Sequence, residues 1–194
     1  MSERFHRLGV AAVLLMLALG LGGAAARAGA WFADPVGDVK GGAGPDLTLV
    51  SVSHTASTVT FRFRFAEAPP LRSSARKGWV DMLLIGIDVP PRSLKRGTHG
   101  WAGLDFYAGL HGTDTTAMVV KTSPTAPSQN RMLARPAVTV RGRTLSFSIS
   151  RTTLGNPAWI EFVAAAGRET SDPAGGAGGD EAPNHGTFHY QLRR

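Results

Sequence analysis

Aspartates spaced through glycine are the residues of this chain that could do chemistry. Asp34, Asp38 and Asp46 fall within "ADPVGDVKGGAGPD", Ala33 to Asp46, and a partial echo, "SDPAGGAGGD", runs from Ser171 to Asp180. Each stretch has Asp-Pro, a small or apolar residue and Gly, and ends in G-G-A-G-x-D, whose first Gly in the second stretch is that same Gly175. A Ca²⁺ ion takes ~6–8 oxygen ligands, several of them carboxylate, from a backbone able to bend around it. Gly37, Gly41, Gly42 and Gly44 supply that freedom. The expected metal ligands are therefore Asp34, Asp38 and Asp46, joined by Asp180, with Asp172 and Glu181 at hand, if the chain brings its two loops together. The first loop is not an EF-hand, because the sixth position from Asp34 is Val39 and the twelfth is Pro45. Nor is it a β-roll array, since the G-G-x-G-x-D pattern never stands in tandem. The competing reading is a pair of surface loops in which Asp caps turns, glycine relieves strain and Asp46 simply starts a strand.

Carbohydrate sites combine flat aromatic faces with polar side chains. Of Trp31, Trp79, Trp101 and Trp159, Trp101 stands apart, because it sits in a long loop shortly before Asp105 and Tyr107. Those three are the candidate sugar-binding residues, and Trp79 and Trp159, at strand starts, read as packing. The histidines show neither an i, i+4 pair on a helix nor H-E-x-x-H. No G-x-S-x-G elbow and no S-x-x-K motif occurs, and without cysteine there is no thiol nucleophile. The expectation is a non-catalytic binding or structural module; the alternative is a small secreted hydrolase acting on glycans.

The chain that must position these residues has 194 residues, room for one domain with one core. Arg4, His6 and Arg7 precede an uncharged apolar stretch, Leu8 to Leu21, and A-x-A patterns follow at Ala26–Ala28 and Ala28–Ala30. This is the layout of a secretory signal peptide, 1–30, cut after Ala30 or two residues earlier, with a single domain over 31–194 and no membrane span left after cleavage. An uncleaved anchor is the competing reading, since the run from Leu8 to Ala26 approaches spanning length. The formal charge is +7; removal of residues 1–30 takes three arginines and one glutamate with it and leaves +5. An exported protein of that sign suits a polysaccharide, an anionic cell-envelope polymer or lipid headgroups, against the plainer reading of a soluble surface. The basic residues are scattered, without an aromatic-studded patch or a reader motif, so nucleic acid is not an expected partner.

Period-two alternation dominates the sequence. In "TVTFRFRF", Thr58 to Phe65, Val59, Phe61, Phe63 and Phe65 point one way and Arg62 and Arg64 the other. Asp46 to His54 is its partner across a short turn, and Ala137 to Ser150 forms a second hairpin around Gly142. Further strands are expected at Trp79–Asp88, Leu104–Leu110, Thr116–Lys121, Trp159–Ala166 and Thr187–Leu192, with the run around Met82–Ile87 reading as a central strand buried on both faces. Ser150–Pro157 is the one candidate helical turn, and Val89–Gly103 and Thr122–Pro136 read as surface loops. About nine short strands separated by Gly and Pro make an all-β, antiparallel β-sandwich, with a closed β-barrel as the alternative.

Five pieces occur in order: "DPVGDVKGGAGPDLTLVSV", "IGIDVP", "GLDFYAG", "LSFSISRTTLG" and "DEAPNHGTFHYQL". Together they resemble secreted bacterial β-sandwich domains related to the DOMON and family-9 carbohydrate-binding-module group. Such domains open with Asp-Pro-x-Gly-Asp and close with Asp-x-x-Pro-x-x-Gly before an aromatic last strand. The resemblance implies a sandwich over nearly the whole of 31–194, with sugar, haem or calcium as the ligand classes of that broad group. The pattern often has two acidic residues where this chain has Ile87-Asp88-Val89-Pro90; only Asp88 is present.

Overall fold

A computed structural model describes residues 29–41, 44–90, 103–123, 126–170 and 178–192. The leader, the segment 91–102 with Trp101, and Asp172 lie outside the described residues. Thirteen strands follow one another: β1 (Ala30–Ala33), β2 (Leu47–His54), β3 (Thr58–Phe65), β4 (Ser73–Ser74), β5 (Trp79–Asp88), β6 (Phe106–His111), β7 (Met118–Lys121), β8 (Arg131–Ala134), β9 (Thr139–Arg141), β10 (Thr144–Ser150), β11 (Trp159–Thr170), β12 (Gly178–Ala182) and β13 (Phe188–Gln191). They form two antiparallel sheets. One has five strands in the order β1-β2-β3-β10-β9; the other has eight, ordered β12-β11-β5-β6-β7-β8, with β13 also on β11 and β4 on β5. The sheets do not close on each other, so the architecture is the sandwich and not the barrel. Among the described residues no helix is long and apolar enough to cross a membrane.

Alternation decides which side of each strand meets the core. Val59, Phe61, Phe63 and Phe65 of β3 and Leu145, Phe147 and Ile149 of β10 are buried. They meet Leu83, Ile85 and Ile87 of β5 and Ile160, Phe162 and Ala164 of β11 from the other sheet. Phe61 packs edge-on against Phe162 at 5.7 Å between ring centroids, which ties the sheets together. Burying one such ring contributes about 1.5–3 kcal/mol, so this cluster dominates the stabilising side. The β9–β10 connection is Gly142-Arg143, with positive φ at Gly142 alone, the type II′ arrangement that suits a hairpin's twist. Thr55 closes the β2–β3 turn by accepting the Ser57 and Thr58 N–H groups on its hydroxyl.

Three expectations change. β5 is central, and Leu83, Ile85 and Ile87 are sealed in the core; on the opposite face Met82 and Leu84 stay half-buried, while Gly86 and Asp88 at the end of the strand are buried. Thr122–Pro136 is not simply a loop: Arg131–Ala134 pairs with β7 as the edge of the larger sheet. The last aspartate loop is itself partly a strand, β12, which pairs with β11 through Gly178–Ala182. The turn at 150–157 is a run of tight turns, with Leu154 N–H reaching Arg151 O and Asn156 N–H returning to the same carbonyl.

Candidate metal centre

The chain leaves β1 at Ala33, on the edge of the five-stranded sheet, and bends at Val36-Gly37, where Gly37 adopts φ 86°. That conformation favours glycine and returns the chain so that Asp34 and Asp38 face a common point. The segment then crosses to the other sheet. Lys40 and Gly179 exchange both backbone hydrogen bonds, N–H to O at 2.8 Å and 2.9 Å, at the edge strand β12. From there the chain returns to enter β2, and Asp180 Oδ2 receives the Leu47 N–H at 2.6 Å. The two glycine-aspartate loops thus meet and close one end of the sandwich.

The glycines have a specific reason at this crossing. A Cβ on Gly44 would lie 3.1 Å from both the C and the O of Gly178 and 3.3 Å from Gly179 N. The loops touch backbone to backbone there, an approach that calls for a residue without Cβ at position 44.

Asp34, Asp38 and Asp180 each offer a carboxylate oxygen, and the three oxygens lie within 4.8 Å of one another. Asp34 is 7% exposed and Asp180 3%. Each of the three keeps one buried oxygen with no hydrogen-bond partner: Asp34 Oδ2, Asp38 Oδ1 and Asp180 Oδ1. An orphaned buried acceptor costs about 1–3 kcal/mol, and more when charged. Among the described residues no ion pair reaches these carboxylates. Burial and then the charges of Asp180, Asp38 and Asp46 push the Asp34 carboxyl up to about 7. Burial and the charges of Asp38 and Asp46 push Asp180 up to about 6, against the opposing hydrogen bonds from the Leu47 and Glu181 N–H groups. Such a cluster resists full ionisation by itself, and a cation placed among the oxygens would reverse that.

Asp46 stands beside the trio. Its Oδ2 accepts the Gly37 N–H at 2.9 Å and so clasps the first turn, while its Oδ1 is buried and unpartnered. Glu181 alternates away from Asp180 along β12 and lines an adjacent groove of ≈ 460 Å³ with Asp38, Lys40 and Asn184. Asn184 is the residue that sequence reasoning missed. Its Nδ2 donates to Asp38 Oδ2 at 2.6 Å, and its amide also carries a carbonyl oxygen suited to a hard cation. Its place in Asp180-x-x-Pro183-Asn184-x-Gly186, beside the second loop, was the available signal.

The expected sugar site is not assembled by the described residues. Trp101 lies outside them. Asp105 Oδ2 receives the Val89 N–H at 2.9 Å before β6, a bond that holds the chain ends around the 91–102 segment. Tyr107 is half-buried on β6 opposite Gly86. On the same outer face Asp88, fully buried, stands directly across from Glu161 of β11, whose Oε2 accepts from Thr187 Oγ1 and whose Oε1 lies 3.7 Å from His189 Nδ1. The chain matches no protein-family model and no curated protein sequence.

Proposed function

We propose that this chain is a secreted, non-catalytic β-sandwich module for carbohydrate or cell-envelope polymer, its two ends held together by a structural Ca²⁺ ion. One observation carries the metal part: carboxylates from the first loop and from β12 converge within 4.8 Å, each with a buried oxygen that nothing satisfies. The donor set favours Ca²⁺ over its rivals. It is all oxygen, whereas Zn²⁺ selects Cys and His, and an irregular loop suits the flexible Ca²⁺ shell better than the strict octahedron of Mg²⁺. Asp34, Asp38 and Asp180 would bind directly, with Asn184, backbone carbonyls and water completing the shell. The resemblance to exported DOMON and family-9 binding modules agrees with a binding role.

The test is a melting curve in excess chelator, repeated with Ca²⁺. At a hundred times its dissociation constant the ion adds ~2.7 kcal/mol, a shift of about 5–10 °C for a domain of this size. The same Tm in chelator, Ca²⁺, Mg²⁺ and Mn²⁺ would sink the metal site. The facing pair Asp88 and Glu161 supports one second reading, a glycan hydrolase. Turnover of a glycan by the wild type that Glu161→Gln abolishes would establish it, and inactivity across a glycan panel would remove it.

A further inference from the structure

The five-stranded sheet contains no acidic residue in any of its strands, β1, β2, β3, β9 or β10. Its inner face is the core. Its outer face can be read in rows from the register. One row runs Trp31–Ser51–Arg62–Ser146–Thr139, and the next runs Ala33–Leu49–Arg64–Thr144–Arg141. A third places Ser53, Thr60 and Ser148 side by side, with Thr60 Oγ1 and Ser148 Oγ 2.8 Å apart. Arg62, Arg64, Arg141 and the turn residue Arg143 are exposed, and among the described residues none of them pairs with a carboxylate. Arg64 and Arg143 also line a groove of ≈ 380 Å³ with Thr48 and Val36 at the end of this face. Trp31, 70% exposed, stands at the opposite edge.

The geometry points to this face as a docking surface for a linear, carboxylate-bearing polysaccharide. Charge complementarity identifies the partner. An arginine fork takes a carboxylate in a bidentate pair, and here several forks share a plane with no internal anion to neutralise them. Arg62 and Arg64 stand two residues apart on one strand, about 7 Å, and Arg64 and Arg141 stand two strands apart, about 10 Å, so the charges are spread as a chain of repeated anions would need. The hydroxyls of Ser146 and Thr144, part-exposed beside the arginines, both donate and accept, which matches sugar hydroxyls. Trp31 adds an aromatic face at the rim, of the kind a pyranose stacks on. Single-stranded nucleic acid would want successive exposed aromatics, which these rows lack. A bilayer would want several large apolar side chains projecting among the arginines; here Trp31 and Val36 are exposed at the margins, and within the two arginine rows the half-buried Leu49 beside Arg64 is the one other large apolar side chain. This inference deepens the binding-module reading by naming its face and polymer class, and it does not depend on the metal site.

The experiment is affinity electrophoresis through gels containing polygalacturonate, neutral dextran or no polymer, in chelator so that a bound cation plays no part. The wild type is expected to be retarded by polygalacturonate alone, with retention weakening as salt rises. Arg62→Gln/Arg64→Gln should weaken retention at least tenfold, and Trp31→Ala should weaken it without changing its salt dependence. These positions are exposed, and an unchanged Tm of each variant shows that the fold survives. Equal retention of the double variant overturns the assignment, as does equal affinity for phosphatidylglycerol vesicles or polyphosphate, which would make the face a general polyanion or membrane surface. A Ca²⁺-dependent melt with no polymer retention would leave the metal site standing and this inference fallen; the reverse result separates them equally well.

Discussion

Replacing Asp34 with asparagine should stabilise the cation-free protein and destroy its response to Ca²⁺. The carboxyl of Asp34 is raised from 3.8 to about 7, first by burial and then by Asp180, Asp38 and Asp46. At pH 8 it is ionised against that resistance. A rise of about 3 units at ~1.4 kcal/mol each sets a ceiling near 4 kcal/mol on what neutralising it can return. Asparagine keeps the shape but brings an amide that must also be satisfied, at about 1–3 kcal/mol. The net gain expected is about 1–3 kcal/mol, or roughly 2–12 °C in Tm at 2–4 °C per kcal/mol. In Ca²⁺ the order changes. The wild type gains ~4.1 kcal/mol at a thousand times its dissociation constant, while Asp34→Asn, short of one direct ligand and one charge, gains little and is overtaken. Differential scanning calorimetry of both proteins, with chelator and with Ca²⁺, gives the four numbers required. If Asp34→Asn melts lower than wild type in chelator and still responds fully to Ca²⁺, Asp34 is a turn residue and the electrostatic argument fails.

Two further outcomes follow from the same geometry. In chelator, stability should fall as pH rises from about 4 to about 7. The folded protein holds protons on Asp34 and Asp180 that the unfolded chain has already lost, so the unfolded state binds fewer protons across that window. The wild-type minus Asp34→Asn difference in Tm across pH 4–8 isolates the Asp34 part, and a flat difference would contradict it. At Gly44 a methyl group would press on the Gly178 backbone at 3.1 Å, so Gly44→Ala should cost about 1–3 kcal/mol by forcing the loops apart. It should also weaken Ca²⁺ binding in a calorimetric titration, whereas an unchanged affinity would mean that the loop contact does not shape the site.

The sandwich was largely legible because its strands obey one rule. Thr58–Phe65 was readable to the residue from its alternation over a core on one side, and Trp79–Asp88 from its continuous apolar run. β1, β8 and β12 were not. Ala30–Ala33 and Gly178–Ala182 carry too little apolar alternation to announce a strand, and both are edge strands held by a single neighbouring strand. Arg131–Ala134 hid between prolines in a stretch that reads as loop. At the candidate site, Asp34, Asp38, Asp46 and Asp180 could be named from type and spacing, although Asp beside Gly serves turns as readily as metal sites. Their meeting could not be derived, since it depends on Lys40 pairing with Gly179 across a long sequence separation. The outer arginines were visible as the polar half of an alternating strand. Their alignment with Arg141 and the serines needed the register, which no single strand contains.

The placement of the carboxylates also bears on how a chain without cysteine can be cross-linked. β1 and β2 belong to one sheet and β12 to the other, and among the described residues the two sheets share side-chain packing but few backbone hydrogen bonds. Asp34 and Asp180 lie near opposite ends of the described chain, so an ion held by both would close nearly the whole of it into one loop. Loop-closure entropy grows with the length enclosed, though slowly, and a link between such distant positions removes more freedom from the unfolded chain than a local one. A disulfide would do this permanently. A cation held by Asp34 and Asp180, whose carboxyls burial raises toward neutrality, would do it conditionally, in proportion to free Ca²⁺ and in competition with protons. The sandwich end would then loosen first when the ion is withdrawn, and hydrogen exchange should report it. Lys40, Leu47 and Gly179 amides should lose protection in chelator, while those of β3, β5 and β10 keep theirs. Uniform loss across all strands would place the ion's effect on global stability and not on this seam.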